Sequence, residues 1–135
     1  MLRKKPLKQR LNAPLQKFES RYFGNKGEQI ACNYLSLNAY KIISRNFRSR
    51  FGEIDIIAVK RGILIFCEVK TRWSNKFGSP EEAVTFQKLG RIRKAAEYFS
   101  LLHPELPKRV AIEVVAIDIQ RDTPTSIRII RVDNI

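Results

Sequence analysis

The chain has 135 residues and a formal net charge of +13, from 26 Lys and Arg against 13 Asp and Glu. That is enough chain for one domain whose core needs no staples, and enough charge to favour polyanions, nucleic acid first, over neutral or cationic partners. The single histidine, His103, leaves no material for triad chemistry, and Cys32 and Cys67 have no partners at zinc-ligand spacing. Any general base must be a carboxylate, a lysine or a metal-bound water. No apolar run approaches the roughly 20 residues of a membrane span, and no secretory pattern opens the chain, so a cytoplasmic protein without a membrane partner is expected.

Residues 1–21 hold seven basic side chains, Arg3, Lys4, Lys5, Lys8, Arg10, Lys17 and Arg21, against one acid, Glu19. With Pro6 and Pro14 interrupting any continuous helix, the segment reads as a basic flexible arm, solvated or bound to phosphate, ahead of a single domain at 22–135. From Gly24 to Leu37 apolar residues at 30, 31, 34, 35 and 37 predict a helix with one buried face. Glu28 lies at the margin of that face. It serves either helix initiation or a site that the helix faces.

Tyr40 to Phe47 is a first strand, and Arg48 to Gly52 a basic turn whose arginines, with Arg45, suit phosphate contacts or simple solvation. Gly52 to Val59 and Ile63 to Lys70 are β-branched runs joined by a glycine turn, the pattern of a β-hairpin. With Arg61 and Gly62 as a two-residue loop, Asp55 faces Glu68 and Glu53 faces Lys70, so three acids and a lysine share one face. A three-residue loop would instead set Asp55 against Cys67. Opposed like charges destabilise a sheet, so a cation is expected between the acids: Lys70, a divalent metal, or both. The plain alternative is a hairpin whose acids are solvated or paired with arginines. Both strands are apolar on both faces, which places them inside a sheet covered on each side, an α/β sandwich.

Thr71 to Gly78 is basic, aromatic and loop-like, with Arg72 and with Trp73 either stacking on a base or packing on the core. Ser79 as N-cap, Pro80 and Glu82 predict a helix start, the helix running to about Leu102 with Val84, Leu89, Ile92, Ala96 and Phe99 buried. Gln87, Lys88, Arg91 and Lys94 form its polar flank, for solvent or for a phosphate backbone. His103 reads as a surface or capping residue. Strands at 109–118 and 126–132 extend the sheet, and no repeat, second domain or glycine-rich phosphate cradle occurs.

The ordered motifs are Gly24, Gly27, Glu28, Ala31, Tyr34 and Leu35; Gly52-Glu53-Ile54-Asp55-Ile56-Ile57-Ala58; Glu68-Val69-Lys70-Thr71-Arg72; and Phe77-Gly78-Ser79-Pro80-Glu81-Glu82-Ala83-Val84 with Lys88 and Arg91. Over residues 22 to 118 they resemble the YraN family of small bacterial proteins. That family in turn resembles the restriction-endonuclease-like superfamily, with its Asp and Glu-x-Lys signature, and especially the Holliday-junction resolvases. The resemblance implies a restriction-endonuclease-like three-layer sandwich, a central mixed sheet flanked by helices. It also implies a metal-dependent endonuclease acting on DNA rather than RNA, on branched structures, as a homodimer if two strands are cut. Asp55, Glu68 and the Val69 carbonyl would bind Mg²⁺ or Mn²⁺, Glu28 would complete the acidic cluster, and Lys70 would orient the attacking water. The Gln-x-x-x-Tyr element of some related nucleases is absent, Arg91 standing four after Gln87. The alternatives are a non-catalytic nucleic-acid-binding module on the same fold and a ribosome- or membrane-surface protein driven by charge.

Overall fold

The computed structural model describes residues 15–73 and 84–134, with backbone alone for 15–25 and for 133 and 134. Five strands, β1 (Lys41–Ser49), β2 (Gly52–Lys60), β3 (Ile63–Arg72), β4 (Arg109–Gln120) and β5 (Thr123–Asn134), form one sheet in sequence order. All neighbours are antiparallel except β3 and β4. A parallel pair needs a crossover, and α2 (Phe86–Leu102) lies in that connection, while α1 (Leu15–Leu37) precedes β1.

Each helix covers one face. Ala31, Cys32 and Leu35 of α1 pack with Ile56, Ala58, Ile65, Cys67, Val115, Ile117 and Ile119. Ile92, Ala95, Ala96 and Phe99 of α2 pack with Ile54, Ile57, Leu64, Phe66 and Ile112. The sandwich is therefore three-layered, as the two-sided apolar strands require. Burying each of the large aliphatic or aromatic side chains among these contributes about 2 kcal/mol, and they come mostly from the interior strands β2, β3 and β4.

The hairpin has the two-residue loop. Lys60 pairs with Ile63 and the ladder runs to Ile56 with Cys67, while Arg61 and Gly62 take φ of 50° and 73°, the type I′ pattern whose twist suits a hairpin. A second such turn, at Arg121 and Asp122 (φ 49° and 61°), joins β4 to β5. It leaves a shorter connection than the gap between the strands expected at 109–118 and 126–132, and Pro124 is tolerated because β5 is an edge strand.

Both helices differ at their starts from expectation. α1 begins at Leu15, directly after Pro14, so residues 15–21 of the expected arm are helical; residues 1–14 lie outside the described residues. α2 begins at Phe86 with Thr85 as N-cap, its hydroxyl accepting from the Lys88 amide at 3.1 Å. Val84 and Thr85 are not helical, so no helix runs unbroken from Ser79 to Leu102. The capping box at Ser79, Pro80 and Glu82 falls outside the described residues, as do residues 74–78 of the basic loop. His103 is the C-cap, its amide bonding to the Phe99 and Ser100 carbonyls.

Candidate functional site

A local reversal in the sheet sets the geometry. Arg45 pairs with Ile56, and Phe47 with Ile54. Yet Arg45 reaches Gln29 of α1, with Nη1 donating to Oε1 at 3.2 Å, whereas Phe47 and Ile54 pack on the α2 side and Ile56 on the α1 side. Residues two apart in a regular strand share a face. The reversal occurs at Asn46, held at φ 54°, and at Asp55 across from it. Asparagine is among the few non-glycine residues that tolerate this left-handed region.

Beyond Ile56 and Cys67 the β2–β3 ladder ends, and the Val69 amide donates instead to Asp55 Oδ2 at 2.8 Å. The same reversal explains a correction. Glu53 does not join Lys70 on one face; it is half-exposed, 3.8 Å from the Arg48 guanidinium. Glu28 arrives from α1 in its place, with Asn46 hydrogen-bonded to it. A Cβ added at Gly27 would collide with the Thr71 hydroxyl and lie 3.3 Å from Thr71 Cβ. The missing side chain therefore lets α1 approach the end of β3 and carry Glu28 to the acids.

The acids sit in an unsettled environment. Asp55 is pushed up to about 7 by burial first and by the Glu68 charge second, against the Val69 amide. Glu68 is 6% exposed, with Lys70 Nζ 3.5 Å from Oε1 and Lys88 Nζ also on Oε1. Burial, then the neighbouring Lys88, lowers Lys70 below the ordinary lysine value. Burial is the largest single influence on Lys88 and opposes its charge, but the hydrogen bonds to Glu68 and Lys70 and the charges of Glu68 and Asp55 together outweigh it, and the group is raised. Burial also raises Glu28, with Asn46 and Arg45 acting against it. Glu28 Oε2 is buried without a hydrogen-bond partner among the described residues. Among the described residues, no three His, Cys, Asp or Glu side chains form a ready-made metal cage.

The structure thus brings together Glu28, Asp55, Glu68, Val69, Lys70 and Lys88, from α1, β2, β3 and α2. The other expected contact residues lie around this cluster or away from it. Arg50 sits 4.9 Å over the Phe51 ring in the β1–β2 turn, and Arg91 is exposed on α2 beside that turn, its Cβ 3.6 Å from where a Gly52 Cβ would be. Gln87 is exposed. Arg72 Nε pairs with Asp118 Oδ1 at 2.9 Å, and Trp73 packs against the α1-side core.

One participant escaped the sequence reading: Asn46 looks like any strand residue, and only its φ and its bond to Glu28 reveal it. Lys88, on the flank read for solvent or a phosphate backbone, is set by the Thr85 cap in the first turn of α2, against Glu68.

These features define a class: a three-layer α/β protein with an acid and lysine cluster where β2 and β3 separate. The chain belongs to the uncharacterised protein family UPF0102, whose model matches residues 27–119. It is 44% identical over 98 residues to a UPF0102 protein of Syntrophomonas wolfei, covering 73% of this chain and 85% of the relative. A UPF0102 protein of Thermodesulfovibrio yellowstonii is 45% identical over 96 residues, 70% of this chain and 84% of its own length. One from Persephonella marina is 40% identical over 94 residues, 70% and 81% of the two chains. Among the described residues no helix is long and apolar enough to cross a membrane.

Proposed function

We propose that the protein is a divalent-metal-dependent nuclease hydrolysing DNA phosphodiesters. The observation that carries this is the pair of a buried Glu68 and a partly buried Asp55, in mutual repulsion beside Lys70, on a chain of net charge +13. A strongly perturbed acid such as Asp55 next to a lysine marks a chemical site more often than a structural one. The resemblance to restriction-endonuclease-like enzymes and junction resolvases supplies the substrate class.

The donor set fits a hard cation. Asp55 and Glu68 offer carboxylate oxygens and the Val69 carbonyl a neutral one, a set in keeping with ions that use one or two carboxylates and water, and Glu28 stands beside them with an oxygen that has no partner among the described residues. Mg²⁺ or Mn²⁺ held there supplies Lewis-acid stabilisation and a lowered water pKa. Lys70, its ammonium made easier to deprotonate by burial, orients the attacking water and offsets charge on the phosphorane. Asp55 acts in its ionised form. Arg48, Arg50, Gln87 and Arg91 hold the phosphate backbone, sequence-independently.

A second reading keeps the fold as a non-catalytic nucleic-acid-binding module. It is favoured by the two lysines that already neutralise Glu68. Incubation with labelled duplex, single-stranded and four-way-junction DNA, with Mg²⁺, Mn²⁺ or chelator, decides between them. Cleavage that needs metal and falls roughly a thousandfold or more in Asp55→Asn, with low-salt binding retained, supports the nuclease. Binding without cleavage in every metal sinks it. In that case Lys88→Ala with Arg91→Ala should still weaken binding and flatten its salt dependence.

A further inference from the structure

Glu68 is buried and its Oε1 is shared by two ammonium groups of different origin. Lys70 belongs to the same strand, two residues on. Lys88 comes from α2, and its side chain is 34% exposed. A lysine side chain is a flexible stem ending in a point charge, able to exchange partners without moving the backbone.

Its own helix gives Lys88 little reason to stay. The first turn of a helix is its positive end, where a cation is disfavoured, and α2 has no acid there to compensate. The contact with Glu68 is what offsets this. A divalent ion on the same carboxylate would meet the Lys88 ammonium at contact distance, and one of the two would have to leave. The phosphate of a bound strand is the natural alternative partner for the displaced ammonium.

We propose that Lys88 is an exchangeable counter-ion on Glu68 that couples metal entry to nucleic-acid binding. Without nucleic acid, Lys88 holds Glu68 and opposes the metal. When a phosphate draws Lys88 off, the carboxylate opens to the ion. Because coupling is reciprocal, the metal tightens nucleic-acid binding by the same factor. The purpose is to keep the acids neutralised and metal-poor until a substrate is in place. This rests on the metal-dependent reading above.

The test is Mn²⁺ affinity, read from the loss of the free-ion EPR signal, on the full chain with and without a phosphorothioate duplex that resists cleavage. Wild type, Lys88→Met, Lys88→Gln, Lys70→Met and Asp55→Asn are compared, with a thermal melt of each. Wild type should bind Mn²⁺ weakly alone and roughly tenfold more tightly with duplex. Lys88→Met and Lys88→Gln should bind it roughly tenfold more tightly than wild type without duplex, and gain little when duplex is added. Asp55→Asn should lose the site.

If both Lys88 variants bind Mn²⁺ as wild type does, or keep the full duplex effect, Lys88 is not the coupling group although the metal reading stands. Equal tightening in Lys70→Met would also overturn the proposal, since charge removal anywhere near Glu68 would then suffice. If no form binds Mn²⁺ in either condition, the metal reading itself fails, and this inference with it.

Discussion

Glu68 on β3 and Glu113 on β4 are both buried glutamates, 6% and 4% exposed, and their surroundings differ in kind. Glu113 accepts from Tyr40 Oη on Oε1 at 2.8 Å, and from Arg131 Nε and Nη2 on Oε2 at 3.1 and 3.0 Å. Both oxygens are used, and one partner is a planar guanidinium held in a two-point grip. Tyr40 is in turn capped by Lys60, 4.5 Å from its ring centroid, and its hydroxyl is raised by burial and by the glutamate it serves. Glu68 has two lysines on one oxygen, a second acid in repulsion and a third nearby whose Oε2 has no partner among the described residues. One buried charge is closed by partners on both oxygens; the other is the one proposed above to exchange its partners. Burial alone does not mark a working carboxylate. The quality of its partners does.

The largest expected effect separates these two glutamates on stability. Glu113→Ala leaves Arg131 and Tyr40 facing an emptied, buried site and should cost about 3 kcal/mol or more in a urea titration. Glu68→Gln should cost far less, because it relieves the repulsion with Asp55 while both lysines, 25% and 34% exposed, keep access to water. Equal losses would end the distinction.

Next comes pH. Asp55 is raised in the fold from an ordinary 3.8 to about 7, so the folded chain holds that proton more tightly than the unfolded one. The stability this contributes is fully present below about pH 4 and is lost as pH rises through about 7. Thermal melts in chelator should therefore fall in Tm across that window. Asp55→Asn should flatten the slope and be the more stable form at pH 8, by on the order of 2 kcal/mol. A slope unchanged by the substitution would move the repulsion elsewhere.

The smallest effect tests how the open site is assembled. Alanine favours a helix interior over glycine by up to about 1 kcal/mol, but at Gly27 it meets Thr71, and overpacking costs about 1–3 kcal/mol. Gly27→Ala should be net destabilising by about 1 kcal/mol. Adding Thr71→Ala should recover most of this, a coupling that a double-mutant cycle measures. Stabilisation by Gly27→Ala alone would show that α1 does not depend on this close approach to carry Glu28.

Much of the fold was legible in the chain. The two β-branched runs either side of Arg61-Gly62, apolar on both faces, indicated a central hairpin between two layers, and the register followed from loop length. The order of motifs carried the family. Helix starts were less legible: Pro14 could be read as a breaker or as the residue ahead of a helix, and Ser79-Pro80 offered stronger capping chemistry than Thr85, the cap actually used. The β4–β5 turn had no signal, because Arg121 and Asp122 adopt a conformation that glycine and asparagine ordinarily announce.

By itself the sequence pointed to Asp55, Glu68 and Lys70, because the two-residue loop sets the hairpin register as far as Ile56 with Cys67 and so brings Asp55 and Glu68 to the place where the paired strands part. Only the tertiary structure decided which groups meet them. Asn46 reverses β1 and removes Glu53 from the shared face, Gly27 admits α1 and with it Glu28, and Thr85 caps α2 so that Lys88 lands on Glu68. Periodicity describes an element against an ideal neighbour. A backbone reversal, a close helix approach and a cap's exact place depend on the packing of other elements, to which no local pattern of residues refers.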